Sequence, residues 1–156
     1  FLNAPATFRR DERSATADHF AWHPATGPDV AEREGHVFQD NLLLADATYA
    51  RPLLIVMQPP ALNSRLATQP LGTGARNLYV RPTGTTAPLV VWNPDDGDPK
   101  QFAFPTLDAL RAKHPAAEAG SLELAGAPGD IVRSPELKNL QPSRPLPLPA
   151  GAYPTP

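Results

Sequence analysis

The segment "NLLLADATYARPLLIV", from Asn41 to Val56, is echoed 36 residues later by "NLYVRPTGTTAPLVVW", from Asn77 to Trp92. The two segments align without gaps and share four of sixteen residues, and apolar residues match apolar ones at most other positions. Each contains an asparagine, a short apolar run, a polar interval, a proline and a second apolar run. We interpret each segment as two short strands of four to five residues, joined by a turn of five to seven residues.

The apolar runs of this repeat are continuous and do not alternate with polar residues. Continuous apolar strands are typical of sheets that are covered on both faces, as in stacked solenoids or parallel sheets. A stacked arrangement would place Asn41 beside Asn77 in parallel register. The alternative is a β-sandwich, in which Leu42–Leu44 and Leu53–Val56 would pair antiparallel within one sheet. Both arrangements belong to the all-β class.

Proline is the most unusual feature of the composition. The chain has 21 prolines among 156 residues, whereas average usage is about 5%. Because proline lacks a backbone donor and breaks helices and central strands, long helices are excluded and short extended segments are expected. One helix is predicted, from Leu107 to His114, with Thr106 as its N-cap and Pro115 directly after it.

The chain length corresponds to one domain, which we divide into three parts. Residues 1–100 are expected to form strand-rich units with long loops, residues 101–133 a short helix with a capping segment, and residues 134–156 an extended proline-rich tail. Within the first part, "HVFQDNLLLAD" is predicted as a strand and "MQPPALNSRLATQPLGTGA" as a loop, given its prolines and glycines.

Charge and cysteine content exclude several classes of function. A net charge of -2 and a pI near 6.1 argue against a nucleic-acid partner. No apolar run approaches the roughly 18 residues that a membrane span needs. The absence of cysteine excludes disulfides, thiolate metal sites and thiol catalysis. Scarce lysine with abundant alanine, arginine and proline is typical of GC-rich bacterial coding, and the first residue, Phe1, suggests a processed product or a fragment.

Several motifs together resemble a known group of proteins. "NLLLADA" and "NLYVRPTG" are followed by "FPTLDALRAKHPAAEAGSLEL", by "SPELKNLQP" and by a closing "GAYP". This order, from Val37 to Tyr153, is similar to the C-terminal coils and cap of secreted bacterial proteins with a right-handed parallel β-helix, the pectate-lyase-like superfamily. The resemblance implies that fold, a short helix and a tail over the final coil. It also implies a secreted, periplasmic or cell-surface location.

The resemblance also carries expectations for structure and function. Asn41 and Asn77 would stack as a side-chain ladder at a corner of successive coils, and an asparagine there would tolerate a left-handed backbone. The implied function is that of a glycoside hydrolase or polysaccharide lyase whose main catalytic residues lie upstream of this chain. The alternative is a non-catalytic binding, adhesin or assembly module. In either case, upstream β-helix sequence or another chain is expected to pack on the N-terminal face, because a solenoid needs about three or more repeats.

The segment "DHFAWHPATGPDVAEREGHVF", from Asp18 to Phe38, contains three of the four histidines. Two histidines four residues apart would share a helix face as metal ligands, but Pro24 and the flanking aromatic residues disfavour a helix, so no metal site is predicted. The segment is either an exposed polar loop or the rim of a sugar-binding groove, where aromatic rings and charged groups contact sugars. The rim candidates are Asp18, His19, Trp22, His23 and Asp29.

Carboxylates elsewhere give weaker hypotheses. A glycoside hydrolase needs a pair of carboxyl groups at a defined separation, and spacing along the chain does not select a pair from the available residues, which are Asp18, Asp29, Glu32, Glu34, Asp40 and Asp46. Asp95, Asp96 and Asp98 could supply oxygen ligands to Ca²⁺, although a solvated turn is the alternative. No other cofactor is predicted. Trp22 and Trp92 lie at matching strand ends, where they either pack in the core or offer a sugar platform.

Overall fold

The structure is a computed structural model, and it describes residues 1–9, 35–58, 70–93, 102–137 and 139–147. The described part is built of short strands with two short helices and one 3₁₀ turn, so the chain belongs to the all-β class. The strands are β1 (Ala6–Arg9), β2 (His36–Gln39), β3 (Leu42–Leu44), β4 (Leu54–Met57), β5 (Leu71–Ala75), β6 (Leu78–Arg81), β7 (Val90–Trp92), β8 (Phe102–Phe104), β9 (Leu122–Ala125), β10 (Val132–Ser134) and β11 (Asn139–Pro142). The helices are α1 (Leu107–Lys113) and α2 (Pro128–Ile131), and the 3₁₀ turn is Pro135–Leu137.

Three of the four sheets take strands from successive units of the chain, and β8, which follows β7 directly, is the exception. Their orders are β1-β4-β7-β8, β3-β6-β9 and β2-β5, and a separate pair is β10-β11. All pairings in the first three sheets are parallel except β7 with β8. Leu42 lies opposite Leu78 and Leu54 opposite Val90, so the 36-residue offset of the sequence repeat is the offset of the strand register. β3 and β4 lie in different sheets and do not form the antiparallel pair of a sandwich.

The repeat unit differs from the predicted one because it has three strands. Residues Leu71–Ala75, predicted as part of a loop, form β5. The two glycines of this strand mark close approaches of the backbone, as glycine in a strand often does. A Cβ on Gly72 would lie 2.8 Å from the Gly35 Cα atom, and a Cβ on Gly74 would overlap the Glu118 carboxylate. The prediction of a loop was therefore wrong for Leu71–Ala75, and residues 59–69 of the predicted loop lie outside the described residues.

The segment "HVFQDNLLLAD" is also divided where a single strand was expected. β2 ends at Gln39 and β3 begins at Leu42, and the residue at the bend, Asp40, has a φ of 57°. Strand conformation requires a negative φ, so this left-handed residue turns the chain from one sheet into the next.

Burial explains why the strands are continuously apolar. Leu43 and Tyr79 belong to the main core, which also contains Leu54, Val90 and residues of α1. The other face of the same sheet, including Leu44 and Val80, packs on Ile131 and Val132 of the C-terminal segment. Because β3 and β6 are covered on both faces, all of their apolar positions are buried.

The C-terminal part contains the predicted helix and further structure. α1 runs from Leu107 to Lys113, and Ala109 N donates to the Thr106 Oγ1 atom at 3.1 Å. Its buried residues Leu107 and Leu110 lie in the main core. One helix and an extended tail were expected, but α2 is a second helix, and residues 134–147 include a 3₁₀ turn and β11, which is antiparallel to β10. This pairing satisfies backbone groups that a merely extended tail would leave to solvent.

Candidate functional site

The residues proposed for a sugar-binding rim lie outside the described residues. These are Asp18, His19, Trp22, His23 and Asp29, and the possible Ca²⁺ ligands Asp95, Asp96 and Asp98 also lie outside. Within the described residues, the polar and ionisable side chains that could form a site lie at the bend between the first two strands of each unit and beside a neighbouring groove.

The corner between the first and second strand of each unit is lined by a row of polar side chains. Asn41 N and Asn41 Nδ2 donate to Asn77 Oδ1 at 3.0 and 3.1 Å. Asn77 N donates in turn to the Ser121 Oγ atom at 2.8 Å. The same bond, from a backbone N–H to the side-chain oxygen of the next unit, is therefore repeated along the row. The structure thus brings together the two asparagines predicted to stack, and it adds Ser121 as a third member.

The left-handed residue of this corner precedes the asparagine. Asp40 and Arg76 have φ values of 57° and 51°, and Gly120, which precedes Ser121, has a φ of 69°. Asn41 and Asn77 are not among the residues with positive φ, so the expectation of a left-handed asparagine was wrong. The asparagine side chains instead make hydrogen bonds across the units, with Asn41 as a donor and Asn77 as both acceptor and donor.

The outer side of this corner has an exposed ion pair. Arg76 donates to Asp40 through Nε at 2.8 Å and through Nη2 at 2.7 Å, and Nη2 also donates to Gln39 Oε1. The hydrogen bond from Arg76 holds the pKa of Asp40 below its ordinary value. The side chains of Arg76 and Asp40 are 46% and 39% exposed, so solvent screens the pair.

The inner side of the corner contains a fully buried carboxyl group, that of Glu118. Its Oε2 atom accepts from Asn77 Nδ2 at 2.9 Å and from Ser121 Oγ at 2.7 Å. Among the residues that the structure describes, its Oε1 atom and the buried Tyr79 hydroxyl have no hydrogen-bond partner, although the two groups are close enough for each to shift the pKa of the other. Burial raises the pKa of Glu118 despite these hydrogen bonds, and burial together with the charge of Glu118 raises the pKa of Tyr79.

A groove of about 480 Å³ lies beside this cluster. One wall is β5, and the other is the segment from Lys113 to Ala117 at the end of α1. Trp92 closes one part of the groove but is 6% exposed, and its ring lies 5.7 Å from the His114 ring. Lys113 Nζ lies 3.2 Å from the centroid of the Phe102 ring, so a cation–π contact places this positive charge at the groove.

A smaller cleft of about 270 Å³ is lined by Arg81, Glu123 and the loop around Gly84. Arg81 Nη2 donates to Glu123 Oε1 at 2.9 Å and to the Pro105 carbonyl, and Nη1 donates to the Ala87 carbonyl. Glu123 Oε2 accepts from the Leu107 backbone N–H at 3.2 Å. These bonds hold the start of α1 against β6 and β9, which is a positioning role within the fold.

Comparisons with protein-family models, with curated proteins and with solved structures gave no match for this chain. Neither α1 nor α2 in the described part is long and apolar enough to cross a membrane. The described residues contain no group of three acidic, histidine or cysteine side chains that could hold a metal ion.

Sequence reasoning missed Glu118 and the groove. Glu118 is a single acid within "HPAAEAGS", a context typical of a solvated loop. The "GTGA" of β5 lies at the end of the segment that was predicted as a loop. The sequence did contain a signal for this close approach. Gly72 and Gly74 are separated by one residue, so in a strand they lie on the same face and leave room there for another group.

Proposed function

We propose that this chain is the C-terminal closing part of a right-handed parallel β-helix. The observation that supports this most strongly is the strand register: β3-β6-β9 and β1-β4-β7 each take strands from successive units in parallel. Consecutive parallel strands of one sheet are connected with a right-handed crossover in about 98% of cases. The row of Asn41, Asn77 and Ser121 is the side-chain ladder that such stacked coils form.

Closure of the C-terminal end is supported by the elements after β7. β8 pairs antiparallel with β7 and so ends the parallel order of that sheet. α1 inserts Leu107 and Leu110 into the main core. Both features end a stack of coils, because neither offers another coil a parallel strand in register. A covered end also protects strand edges that otherwise pair with other chains.

The opposite end supports addition of further coils. Among the described residues, β1 pairs only with β4 and β2 only with β5. The Phe8 ring contacts the rings of His36 and Phe38, at centroid distances of 5.9 and 5.3 Å, and Val37 is 67% exposed. We propose that upstream β-helix sequence or another chain packs on this N-terminal face.

We further propose that the protein acts on polysaccharide outside the cytoplasm, as a glycoside hydrolase or a polysaccharide lyase. This class is supported by the sequence resemblance, and the candidate rim of Asp18, His19, Trp22, His23 and Asp29 would lie along one side of the coils. The second candidate is a non-catalytic binding or assembly module. It is favoured by the contacts that hold the C-terminal elements together, among them the Arg81–Glu123 pair, whose polar atoms hold the start of α1.

The stacking can be tested with engineered disulfides, because the chain has no cysteine of its own. Val37 and Thr73 lie opposite each other in the parallel pair β2-β5, and both are exposed. Under mild oxidation, the double variant Val37→Cys with Thr73→Cys should form an intramolecular disulfide, since bridged Cα atoms lie about 4.4–6.8 Å apart. The control double variant Val37→Cys with Leu122→Cys joins exposed positions of two different sheets and should remain reduced. Equal cross-linking in both variants would contradict the parallel stack.

The proposed hydrolase or lyase activity needs a separate test on the intact protein. Release of reducing ends and of unsaturated uronates from a polysaccharide panel would distinguish hydrolase from lyase. Replacement of His19, His23 and Asp29 by alanine should lower the rate if the rim contacts substrate. Activity unchanged by these replacements would remove the rim hypothesis, and binding without any turnover would favour the second candidate.

A further inference from the structure

The turn after α1, residues 115–120, carries the carboxyl group of Glu118 from the surface into the stacked strands. Glu118 is fully buried, whereas Ala116 and Ala119 of the same turn are exposed. The Glu118 Oε1 atom lies against Gly74. Gly74 and Ala119 both line the 480 Å³ groove, so a glycine and the turn itself separate the buried carboxyl group from the groove.

The backbone of this turn is held in a conformation that a glutamate disfavours. The angle φ is 53° at Glu118 and 69° at Gly120. Glycine adopts a positive φ readily, but a residue with a side chain is strained there, and the strain persists only where surrounding contacts enforce it. The side-chain contacts of Glu118 therefore hold a turn whose local preference is to relax.

The Glu118 side chain is the main link between this turn and the strands. Within the described residues, one backbone bridge joins the turn to β5, and in it Arg76 N donates to the Ala119 carbonyl at 2.9 Å. Arg111 of α1 donates through Nη2 to two carbonyls at the end of the turn. The carboxyl group of Glu118, by contrast, accepts two hydrogen bonds from buried side chains of the row. Loss of these two bonds would leave the turn attached mainly by the single bridge.

Ionisation of Glu118 opposes this attachment. A buried carboxylate loses its hydration and is stabilised only by the hydrogen bonds and charges around it, and Oε1 has no hydrogen-bond partner in the described part of the chain. Burial raises the pKa of Glu118 more than its hydrogen bonds, the nearby Tyr79 hydroxyl and the charge of Arg111 lower it. The ionisable side chains on the surrounding elements are those of Tyr79 on β6, Arg111 and Lys113 on α1, His114 after α1, and Arg76 after β5, which is paired with Asp40.

We propose that Glu118 is a pH-dependent anchor of the 115–120 turn: its neutral side chain holds the turn on the stacked strands, and its ionised side chain moves out into the groove, so that the turn opens. In the open turn the carboxyl group is exposed and ionises near its ordinary pKa of about 4.3. Opening is therefore promoted as the pH rises from this value to the raised pKa of the closed turn, and it is constant above that pKa. The inference does not depend on the proposed function, because it uses only the contacts of the turn with the row, with β5 and with α1.

Amide hydrogen exchange measured by NMR tests the opening. The Arg76 amide should be exposed whenever the turn opens, whereas the Leu78 amide, which donates to the Asn41 carbonyl at 2.8 Å, should be exposed only on global unfolding. Protection factors relative to an unstructured chain remove the intrinsic pH dependence of exchange. The protection of Arg76 should be lower than that of Leu78 and should fall by up to about tenfold per pH unit in this pH window. It should not change at low urea concentrations that reduce the protection of Leu78.

Three variants separate the charge of Glu118 from its other roles. Glu118→Gln keeps the shape of the side chain and cannot ionise, so the protection of the Arg76 amide should be the same at every pH. Tyr79→Phe removes a hydroxyl that lowers the pKa of Glu118, so the fall in protection should extend to higher pH. Glu136→Gln changes an exposed glutamate and is the control, which should behave as the native chain does.

Three results would overturn the proposal. The first is a ¹³C signal of the Glu118 carboxyl group that titrates near pH 4.3, because ionisation would then not be linked to opening. The second is a pH dependence at Arg76 that persists in Glu118→Gln. The third is equal protection and equal urea dependence at Arg76 and Leu78, which would show that the turn opens only with global unfolding and that Glu118 has a structural role alone.

Discussion

The two sides of one corner show opposite electrostatics on nearly the same backbone. On the outer side, the exposed carboxylate of Asp40 is paired with Arg76, which lowers its pKa. On the inner side, the carboxyl of Glu118 is fully buried, and its burial raises its pKa. Both acids have left-handed backbone, with φ values of 57° and 53°. The conformation of the chain therefore does not decide the chemistry of the acid, whereas its distance from solvent does.

The comparison also separates two kinds of interaction between the units, those that are buried and those that solvent reaches. In the row, Asn77 and Ser121 are buried and Asn41 is partly buried, so water cannot replace the hydrogen bonds of the two buried residues if they are lost. The Asp40–Arg76 pair also joins two units, but water can replace its bonds. Variants at the two sides should therefore differ strongly in their effect on stability.

The largest effect is expected for Asn77→Ala. This substitution removes the acceptor of the Asn41 N–H and the donor to the Phe38 carbonyl and to Glu118. Because these groups are left without partners, the free energy of unfolding should fall by about 3 kcal/mol or more. Asn41→Ala removes a less buried member of the row and should cost about 1 kcal/mol. Urea denaturation followed by circular dichroism measures both, and equal losses would contradict the distinction between buried and part-buried members.

A smaller loss is expected for Gly74→Ala, because the new methyl group would overlap the Glu118 carboxylate. Overpacking of this kind costs about 1–3 kcal/mol. Gly129→Ala is the control, since nothing lies within 4 Å of a Cβ at that position. A double variant with Glu118→Ala should recover part of the Gly74→Ala loss. Additive losses in the double-mutant cycle would show that the two sites do not touch.

Glu118→Gln should change the pH dependence of stability. Since the pKa of Glu118 is raised in the fold, the folded chain binds more protons than the unfolded chain, and stability falls as pH increases. The fall lies between the ordinary pKa of a glutamate, about 4.3, and the raised pKa of Glu118 in the fold. The difference in unfolding free energy between wild type and Glu118→Gln should therefore change across this window and be constant above it. A difference that is constant at every pH would mean that Glu118 titrates normally.

The smallest effect is expected for Arg76→Gln. The pKa of Asp40 is lowered by Arg76, so the pair stabilises the chain above the ordinary pKa of an aspartate, and this contribution is lost as pH falls through the lowered pKa. The slope has the opposite sign to that of Glu118. The denaturation midpoint should shift slightly at low ionic strength and not at all in 1 M salt, where the screening length is about 3 Å. A large shift of the midpoint that persists in 1 M salt would mean that the Asp40–Arg76 pair contributes substantially to stability.

The repeat and the helix were predictable from the sequence because their signals are local. The recurrence of asparagine, apolar run and proline gave the 36-residue register that pairs Leu42 with Leu78. The cap at Thr106 and the proline after His114 gave α1 to within one residue. β5 and the break at Asp40 were not predictable in the same way. The glycines of β5 resemble those of a loop until the close approach of Gly35 and Glu118 is known.

The sequence by itself determined the class of fold, the spacing of the stacked strands and the position of α1, because apolar periodicity, proline and capping residues act within a few neighbours. Only the tertiary structure decided that Glu118 is buried, that Arg76 lies beside Asp40 and that a groove lies between β5 and the end of α1. These features join residues about 36 to 44 positions apart. Distance to solvent and to such partners depends on how the strands stack, and it is this stacking that sets the pKa of a carboxyl group.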